Sequence, residues 1–323
     1  MEIPLLPSVH YTGNRRLAGG WFITTCRIRR EGGKIAEMSF WHSFRRLNPA
    51  LTAFTYDDQD LMPRYDFRTP RIYLDVPLAA GDEVALDRDQ ANYLLNVLRL
   101  GRGDGLLLFN GRDGEWQAKI AGAGKRTLTA HLSERVREQP PPRDLHFLFA
   151  PLKHARLDYL VQKAVEMGTS QLQPVITRHT QVARVNLERM RANVIEAAQQ
   201  CGVLNLPAVA EPTAFDTIAG VDADRLLVFC DEDAEVKDPV AALAAARSTA
   251  QVALPLDVLV GPEGGFTQQE RELLRKRPNV VRLSLGPRIL RADTAAVAAL
   301  ALVQAVLGDW RANSDRLIPG CLD

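Results

Sequence analysis

The first patterned region alternates apolar and polar residues, beginning at residues 72–76, as in a strand with one buried face. A short helical stretch follows, for which Asp89 is the predicted N-cap. Further apolar runs at 106–109, 116–120 and 127–132 are separated by polar or glycine-containing segments, among them Asn-Gly and Asp-Gly pairs that favour tight turns. Short strands joined by glycine turns predict a small β-barrel.

A proline-rich stretch, Gln139-Pro140-Pro141-Pro142, separates this region from the rest of the chain. Consecutive prolines cannot continue a helix or a central strand, so we expect a stiff linker at 139–143. Beyond it, apolar residues at helical spacing alternate with short apolar runs, which are typical of strands buried on both faces. The pattern predicts an α/β domain with a mainly parallel sheet. The predicted strands are 145–150, 172–176, 226–230, 256–261 and 280–285.

Residues 1–68 have no sustained period of either kind and carry ten Lys or Arg against seven Asp or Glu. We expect an N-terminal extension, disordered or preceding the true start, for which Met62 is a candidate. The alternative is a basic arm that binds RNA. The predicted domains are therefore this extension, a barrel at 69–138, the linker, and an α/β domain at 144–323.

Composition narrows the class of protein without identifying it. The 323 residues include 46% hydrophobic and 24% charged residues and have a net charge of +1, which excludes fibrous and wholly disordered classes. The four cysteines form no CxxC pair and match no zinc motif, so we expect a reducing compartment and no metal. The longest apolar stretch is too short to cross a bilayer, and no secretory signal is recognisable; we expect a cytoplasmic protein without membrane association.

The segment Leu259-Val260-Gly261-Pro262-Glu263-Gly264-Gly265-Phe266-Thr267 lies between a predicted strand and a predicted helix. Thr267 and Glu270 match a capping box, which begins the helix there. The glycines allow a ligand to approach the backbone, and ligands of open α/β sheets bind at the carboxyl ends of strands. The segment matches neither GxGxxG nor a P-loop, which disfavours a nucleotide held by its pyrophosphate. The alternative is a tight turn without a ligand.

A second segment, 283–294, also leaves a strand and enters a helix, with Asp293 as the predicted N-cap. Arg288 and Arg291 flank two apolar residues in this loop, and either arginine alone is most simply a solvated surface residue. Two such loops at the same ends of neighbouring strands make a binding site a stronger interpretation than either loop does by itself.

Together, Gly-Pro-Glu-Gly-Gly-Phe-Thr at 261–267 and Leu-Gly-Pro-Arg-Ile-Leu-Arg-Ala-Asp-Thr-Ala at 285–295 resemble the RsmE family. Its members are SPOUT-superfamily methyltransferases that modify uridine at N3 in small-subunit (16S) ribosomal RNA. The resemblance runs from about 71 to 307 and includes Gln-Lys-Ala-Val-Glu-Met-Gly at 162–168 and Glu-Ala-Ala-Gln-Gln at 196–200. The chain departs from the family pattern at Asp293, where Glu is usual, at Val203, where Arg is usual, and near Asn92, where a His is common.

The resemblance implies a PUA-like RNA-binding barrel followed by a SPOUT domain with a trefoil knot, in a homodimer. The implied cofactor is S-adenosylmethionine, held by loops that follow Cys230, Val260 and Leu285. The residues expected to bind it are Leu259, Gly261, Glu263, Gly264, Leu285, Gly286, Ile289 and Leu290.

For the chemistry, the resemblance points to Arg288 as the cation that stabilises a uracil anion, and to Asp293 or Glu263 as acceptor of the N3 proton. Loss of that proton to solvent is equally open. The expected RNA contacts are Arg71, Arg99, Lys153 and Lys163. For Lys163 the competing interpretation is an i, i+3 ion pair with Glu166.

Three other functions compete with the methylation of 16S rRNA in the small subunit. A non-catalytic RNA-binding assembly factor would retain the barrel and lose the cofactor loops. Another SPOUT methyltransferase would act on a different RNA. A nicotinamide-dependent Rossmann enzyme is disfavoured because its glycine fingerprint is missing.

Overall fold

In the computed structural model, the described residues are 9–16, 21–29, 35–43, 68–123, 128–182, 184–220, 224–235, 238–249 and 255–311. The chain divides into two compact units, Met1–Arg64 and Tyr65–Asp323. The first contains three strands, β1 (Val9–Arg16), β2 (Trp21–Arg29) and β3 (Ile35–Ser43), which pair antiparallel in chain order. Regular strands therefore lie inside the segment expected to be disordered. The origin of this N-terminal segment and the bounds of the four predicted segments stay predictions.

The second unit begins with a five-stranded sheet in the order β4-β6-β7-β8-β5. The β4–β6 pair is parallel and the other pairs are antiparallel. The apolar faces of these strands enclose a core that includes Ile72, Leu106 and Ile120, as the alternating pattern predicted. The elements are β4 (Arg71–Tyr73), β5 (Glu83–Leu86), α1 (Arg88–Asn92), a π-helical turn (Tyr93–Val97), β6 (Gly105–Phe109), β7 (Glu115–Ala123) and β8 (Leu128–Arg137).

The N-cap predicted for α1 is wrong by two residues. Asp87, not Asp89, caps the helix, because its side chain accepts from the Gln90 backbone while the Gln90 side chain bonds back to Asp87. Asp89 lies in the first turn, where a negative charge still favours the positive end of the helix dipole.

The α/β part contains a seven-stranded sheet in the order β11-β10-β9-β14-β13-β15, with β12 also paired to β10. Each of its recorded strand pairs is parallel, which confirms the predicted sheet. The trefoil knot stays a prediction. The strands are β9 (Leu145–Phe149), β10 (Gln171–Ile176), β11 (Ala208–Val209), β12 (Thr213–Ala214), β13 (Leu226–Cys230), β14 (Leu256–Val260) and β15 (Val280–Leu283). The helices are α2 (His154–Glu166), α3 (Leu187–Cys201), α4 (Phe215–Gly220), α5 (Pro239–Thr249), α6 (Gln268–Arg275) and α7 (Ala292–Val306), followed by a 3-10 turn (Asp309–Arg311).

Both faces of the parallel sheet are covered, which explains its continuous apolar runs. Every residue of β13 and β14 is buried. On one face, Val258 and Val260 belong to a core shared with α2, α3, α5 and α7. On the other, Leu259 belongs to a smaller core with Phe266 and with Leu274 of α6. Successive side chains of one strand therefore face different layers.

Charged groups join the five-stranded sheet to helix α3. Glu115 is 1% exposed and lies between two arginines. One of its carboxylate oxygens accepts a hydrogen bond from Nε of Arg71, and the other lies 3.3 Å from Nη1 of Arg137. Arg137 also donates to the carbonyl of Gly202 at 3.0 Å, just beyond the end of α3. The Gln199 side chain accepts from the backbone of Tyr73 at 2.9 Å. Each oxygen of the Glu115 carboxylate therefore has a guanidinium partner, which compensates its negative charge.

We expect Glu115→Gln to lower the free energy of unfolding by about 3 kcal/mol, because two guanidinium groups would lose a buried charge partner. Denaturant unfolding monitored by circular dichroism would measure it. The matched control is Glu138→Gln, which removes an exposed pair with Arg135 and should cost less than about 1 kcal/mol. Equal losses from the two variants would show that the buried triad stabilises nothing beyond a surface pair.

Candidate functional site

A cavity of about 760 Å³ lies at the carboxyl edge of the parallel sheet. It is formed by the loops that follow β13, β14 and β15, because parallel strands bring their carboxyl ends to one edge. These are the three loops predicted from the sequence. They supply lining residues from Cys230–Glu232, Val260–Phe266 and Leu283–Ala292.

The loop after β14 is held close to the strand by Phe266. A Cβ placed on Gly261 would lie 2.4 Å from the Phe266 ring, so only glycine allows this approach. The predicted capping box is confirmed: Thr267 caps α6 and bonds reciprocally with Glu270. Glu270 is 7% exposed and also accepts from the backbone of Arg178 at 2.8 Å, which ties this loop to the one after β10.

The loop after β15 presents backbone to the cavity. Gly286 has φ +100, a conformation that side-chain-bearing residues rarely adopt, and a Cβ there would meet no atom within 4 Å. Within the described part of the chain, the backbone groups of Leu285, Gly286 and Leu290 make no hydrogen bond. The Ile289 side chain is fully exposed at 102%. Free donors and acceptors therefore lie beside apolar surface, as a flat heteroaromatic ligand requires.

A buried ion-pair network supports the loop after β13. The Asp231 side chain is fully buried, and its two oxygens bind Nε of Arg271 at 3.0 Å and Nη2 of Arg282 at 2.6 Å. Arg271 also binds Glu232, a second lining residue, at 2.5 Å. These contacts connect β15, α6 and the loop after β13. The loop after Cys230 was expected from the family resemblance. Asp231 and Glu232 were not among the predicted site residues, although an acidic run directly after a buried strand was a usable signal.

Seven of the eight predicted cofactor residues line this cavity, and so does Arg288. One predicted cofactor residue, Leu259, and one predicted catalytic residue, Asp293, do not. Leu259 is completely buried in the core of the opposite face, so Val260 takes its place in the cavity wall. Asp293 is outside the lining, and it does not cap α7: the N-cap is Arg291, and Asp293 accepts from the backbone of Thr294 at 2.8 Å. The residues that line it as predicted are Gly261, Glu263, Gly264, Leu285, Gly286, Ile289 and Leu290, with Arg288.

A second cavity, of about 290 Å³, shares Pro262 and Glu263 with the first. Its other walls come from the loops after β9 and β10. The Glu263 carboxylate binds Arg156 of α2, and His179 places Nδ1 3.0 Å and 3.1 Å from the carbonyl oxygens of Gly264 and Gly265. The remaining lining residues are Pro151, Leu152, Lys153, Gln181 and Val182.

The four predicted RNA contacts have different surroundings. Arg71 is 9% exposed and engaged with Glu115, so its role in the structure is to join the five-stranded sheet to α3. Lys163 forms the alternative ion pair with Glu166, at 2.7 Å. Arg99 is exposed and has φ +59, the one non-glycine residue with positive φ in the described chain. Lys153 is exposed at the second cavity.

The described residues contain no group of His, Cys, Asp and Glu that would hold a metal ion. No helix among them is long and apolar enough to span a membrane.

Comparison with protein families finds two matches. Residues 139–304 match the model of an RNA methyltransferase domain, and residues 86–133 match an RNA methyltransferase PUA domain. The first match contains both cavities, and the second covers most of the five-stranded sheet.

Individual relatives extend this similarity. Ribosomal RNA small subunit methyltransferase E of Rickettsia conorii is 34% identical over 235 residues, which are 72% of this chain and 94% of the relative. The protein of that name from Synechocystis is 34% identical, over 69% of this chain and 73% of its own length.

Two solved structures are similar over the same region. A putative methyltransferase from Legionella pneumophila, in complex with bound cofactor SAM, has a TM-score of 0.65 at 28% identity and covers 74% of this chain and 98% of its own. Ribosomal RNA small subunit methyltransferase E from Neisseria gonorrhoeae, bound to S-adenosyl methionine, has a TM-score of 0.64 at 27% identity, covering 75% and 99%.

The burial of a cysteine beside the first cavity leads to a prediction about the reactivity of its thiol. Burial raises the pKa of the Cys230 thiol to about 12, so at pH 8 the thiol stays protonated and lacks the reactive thiolate form. We expect iodoacetamide to modify exposed Cys201 in the native protein at pH 8 and to leave Cys230 unmodified. Peptide mass spectrometry would measure both, with urea-unfolded protein as the control. Equal native rates at the two cysteines would contradict the described packing.

Proposed function

The chain belongs to the ribosomal RNA small subunit methyltransferase E family, and from this premise we propose that it methylates N3 of a uridine in 16S ribosomal RNA, using S-adenosylmethionine. Its α/β domain is of the SPOUT type and follows a PUA-like domain. The observation that carries the proposal is the cavity at the carboxyl edge of the sheet, where the predicted cofactor loops converge.

The cavity is suited to S-adenosylmethionine in size and in chemistry. Its volume of about 760 Å³ lies within the ~300–1,000 Å³ range of small-molecule sites. The free backbone groups of Leu285, Gly286 and Leu290 are partners for an adenine edge, and Val260 and Ile289 offer apolar contact to its ring. When bound, the cofactor supplies an electrophilic methyl group on a sulfonium. Glu232 provides a carboxylate for ribose hydroxyls or for the cationic end of the ligand.

Uracil N3 carries a proton and is a weak nucleophile until that proton leaves. The resulting negative charge spreads over O2 and O4. Arg288 lines the cavity and is exposed, so its guanidinium is available to stabilise this anion. Of the two carboxylates expected to accept the proton, Glu263 lies at the cavity and Asp293 does not, and we therefore assign the acceptor role to Glu263.

RNA and partner contacts follow from the same proposal. Among the expected RNA contacts, Lys153 and Arg99 are exposed, and we propose that they bind the RNA. Arg71 is buried and therefore does not contact it. Local positive charge is sufficient for phosphate contacts in a chain whose net charge is only +1. We propose that the active form is a homodimer, as the family resemblance implies, and that the substrate is 16S rRNA, free or in the small subunit.

We expect Gly286→Val to weaken the binding of S-adenosylmethionine at least tenfold, because valine would strain the backbone at φ +100 and place a side chain in the cavity. Isothermal calorimetry would measure the affinity. Gly81→Val is the matched control: Gly81 also has positive φ with open space around it, but it lies outside the cavity. Unchanged cofactor binding by Gly286→Val would remove this loop from the site.

We expect Arg288→Ala to slow methyl transfer about 100-fold while the affinity for S-adenosylmethionine is retained, because the cation acts on the developing uracil anion. Single-turnover transfer of labelled methyl to small subunits would measure the rate. Arg288→Lys should recover part of it, and Arg275→Ala, on the exposed face of α6, should have no effect. A wild-type rate for Arg288→Ala would show that the arginine has no part in the chemistry.

A further inference from the structure

One arginine of helix α6 holds three consecutive acidic residues of the loop after β13. Arg271 contacts each carboxylate through a different nitrogen of its guanidinium. Nε lies 3.0 Å from Asp231, Nη2 lies 2.5 Å from Glu232, and Nη1 lies 3.0 Å from Asp233. Because the guanidinium is planar and rigid, these contacts fix the three carboxylates relative to one another and to α6.

Of these three residues, Glu232 is the one that presents an accessible carboxylate to the first cavity. Asp233 lies outside the lining, and the Asp231 side chain is completely buried, whereas the Glu232 side chain is 56% exposed. Arg271 binds Oε1 of Glu232, and Oε2 makes no hydrogen bond or ion pair within the described part of the chain. The cavity wall therefore contains a carboxylate that is held at one oxygen and free to accept at the other.

The loop after β14 limits where this carboxylate can lie. Gly265 has φ +68, and a Cβ built on it would collide with Oε1 of Glu232. Glycine therefore leaves room for the pair that Glu232 forms with Arg271. With the guanidinium and the β14 loop both in contact with Oε1, few side-chain conformations remain open to Glu232. An acceptor that is already ordered loses little conformational entropy when a ligand binds.

The position of Glu232 suits a ribose hydroxyl. Glu232 is the second residue after β13, at the carboxyl edge of a parallel sheet, where acidic residues of nucleotide-binding folds accept from ribose hydroxyls. A cation would be drawn to an uncompensated carboxylate, but the charge of Glu232 is already balanced in part by Arg271. A neutral hydroxyl needs only the free oxygen, and its hydrogen bond to a charged acceptor is stronger than one between neutral groups.

Resting on the proposed function, we infer that Arg271 is a positioning residue for the methyl donor that acts through Glu232. It holds the carboxylate so that Oε2 accepts a hydrogen bond from a ribose hydroxyl of S-adenosylmethionine. Arg271 does not line the cavity, so its effect on the ligand depends on Glu232. Together the two residues make the site select nucleosides that carry ribose hydroxyls.

Arg282 of β15 provides an internal comparison. It binds the second oxygen of Asp231 at 2.6 Å and the carbonyl of Asp233 at 3.1 Å, and none of its described contacts is with Glu232. If Arg271 served only to compensate the buried Asp231, its removal and the removal of Arg282 would have the same effect on ligand selection.

The direct test compares adenosine with 2′,3′-dideoxyadenosine, each measured by displacement of labelled S-adenosylhomocysteine. The ratio of the two dissociation constants reports ribose selection and is insensitive to changes in overall stability. We expect a ratio of about ten or more in the wild type, because the dideoxy compound lacks the hydrogen bond to a charged acceptor. The ratio should fall at least fivefold in Glu232→Ala and at least threefold in Arg271→Gln, and adding Arg271→Gln to Glu232→Ala should change it no further. Arg282→Gln should keep it within twofold of the wild type.

Circular dichroism would establish that each variant is folded. Arg271→Lys takes the place of Arg271→Gln if the latter unfolds, and the same loss of selection is expected, because an ammonium lacks the fork of donors that a guanidinium offers to several carboxylates. A wild-type ratio in the folded Arg271 variant, or equal losses in the Arg271 and Arg282 variants, would overturn the inference. So would an unchanged ratio in Glu232→Ala. If the wild type bound neither S-adenosylmethionine nor S-adenosylhomocysteine, the proposed function would fail as well; with binding intact, only the inference is at stake.

Discussion

Parallel strand pairing is the constraint on which both cavities depend. The last residues of β13, β14 and β9 are register partners, since Cys230 pairs with Val260 and Val260 with Phe149. Loops that are distant in sequence are therefore brought to one edge of the sheet. The order β10-β9-β14-β13-β15 then fixes which loops are neighbours. The β14 loop lies at the centre of this edge, which is why it contributes to two adjacent cavities.

Buried charge keeps these elements in place. Asp231 joins β15 and α6 through Arg282 and Arg271, and Glu115 joins the five-stranded sheet to α3 through its two arginines. Buried ion pairs contribute little net stability compared with apolar packing, but they tolerate few alternative arrangements. Here these pairs fix positions. The Asp231 network fixes a wall of the first cavity, and the Glu115 network fixes the orientation of the PUA-like domain on the α/β domain.

The sequence predicted those features that depend on neighbours along the chain. The strand at 226–230 and the capping box at Thr267 follow from local patterns, and the structure confirms them. The three loops were expected from the family resemblance, and in the structure they line one cavity. In a strand buried on both faces, the apolar run has no alternation, so the sequence did not indicate that Val260 and not Leu259 faces the cavity.

Long-range partners were also beyond local patterns. Arg71 looked like a surface cation because its partner Glu115 is 44 residues away. Gln199 gave no signal for its bond to the backbone of Tyr73, which is 126 residues away. The cap of α7 was misplaced because Asp293 is a good N-cap residue by type, while the backbone enters the helix at Arg291. The second cavity has no motif of its own, since its walls come from three separate loops.

The most direct measurement is identification of the product nucleoside. Purified protein is incubated with unmodified small subunits and S-adenosylmethionine carrying a deuterated methyl group, and the 16S rRNA is then digested and analysed by mass spectrometry. The account predicts that the label appears in 3-methyluridine and in no other nucleoside. Label in a different nucleoside, or none at all with protein that binds the cofactor, would contradict it.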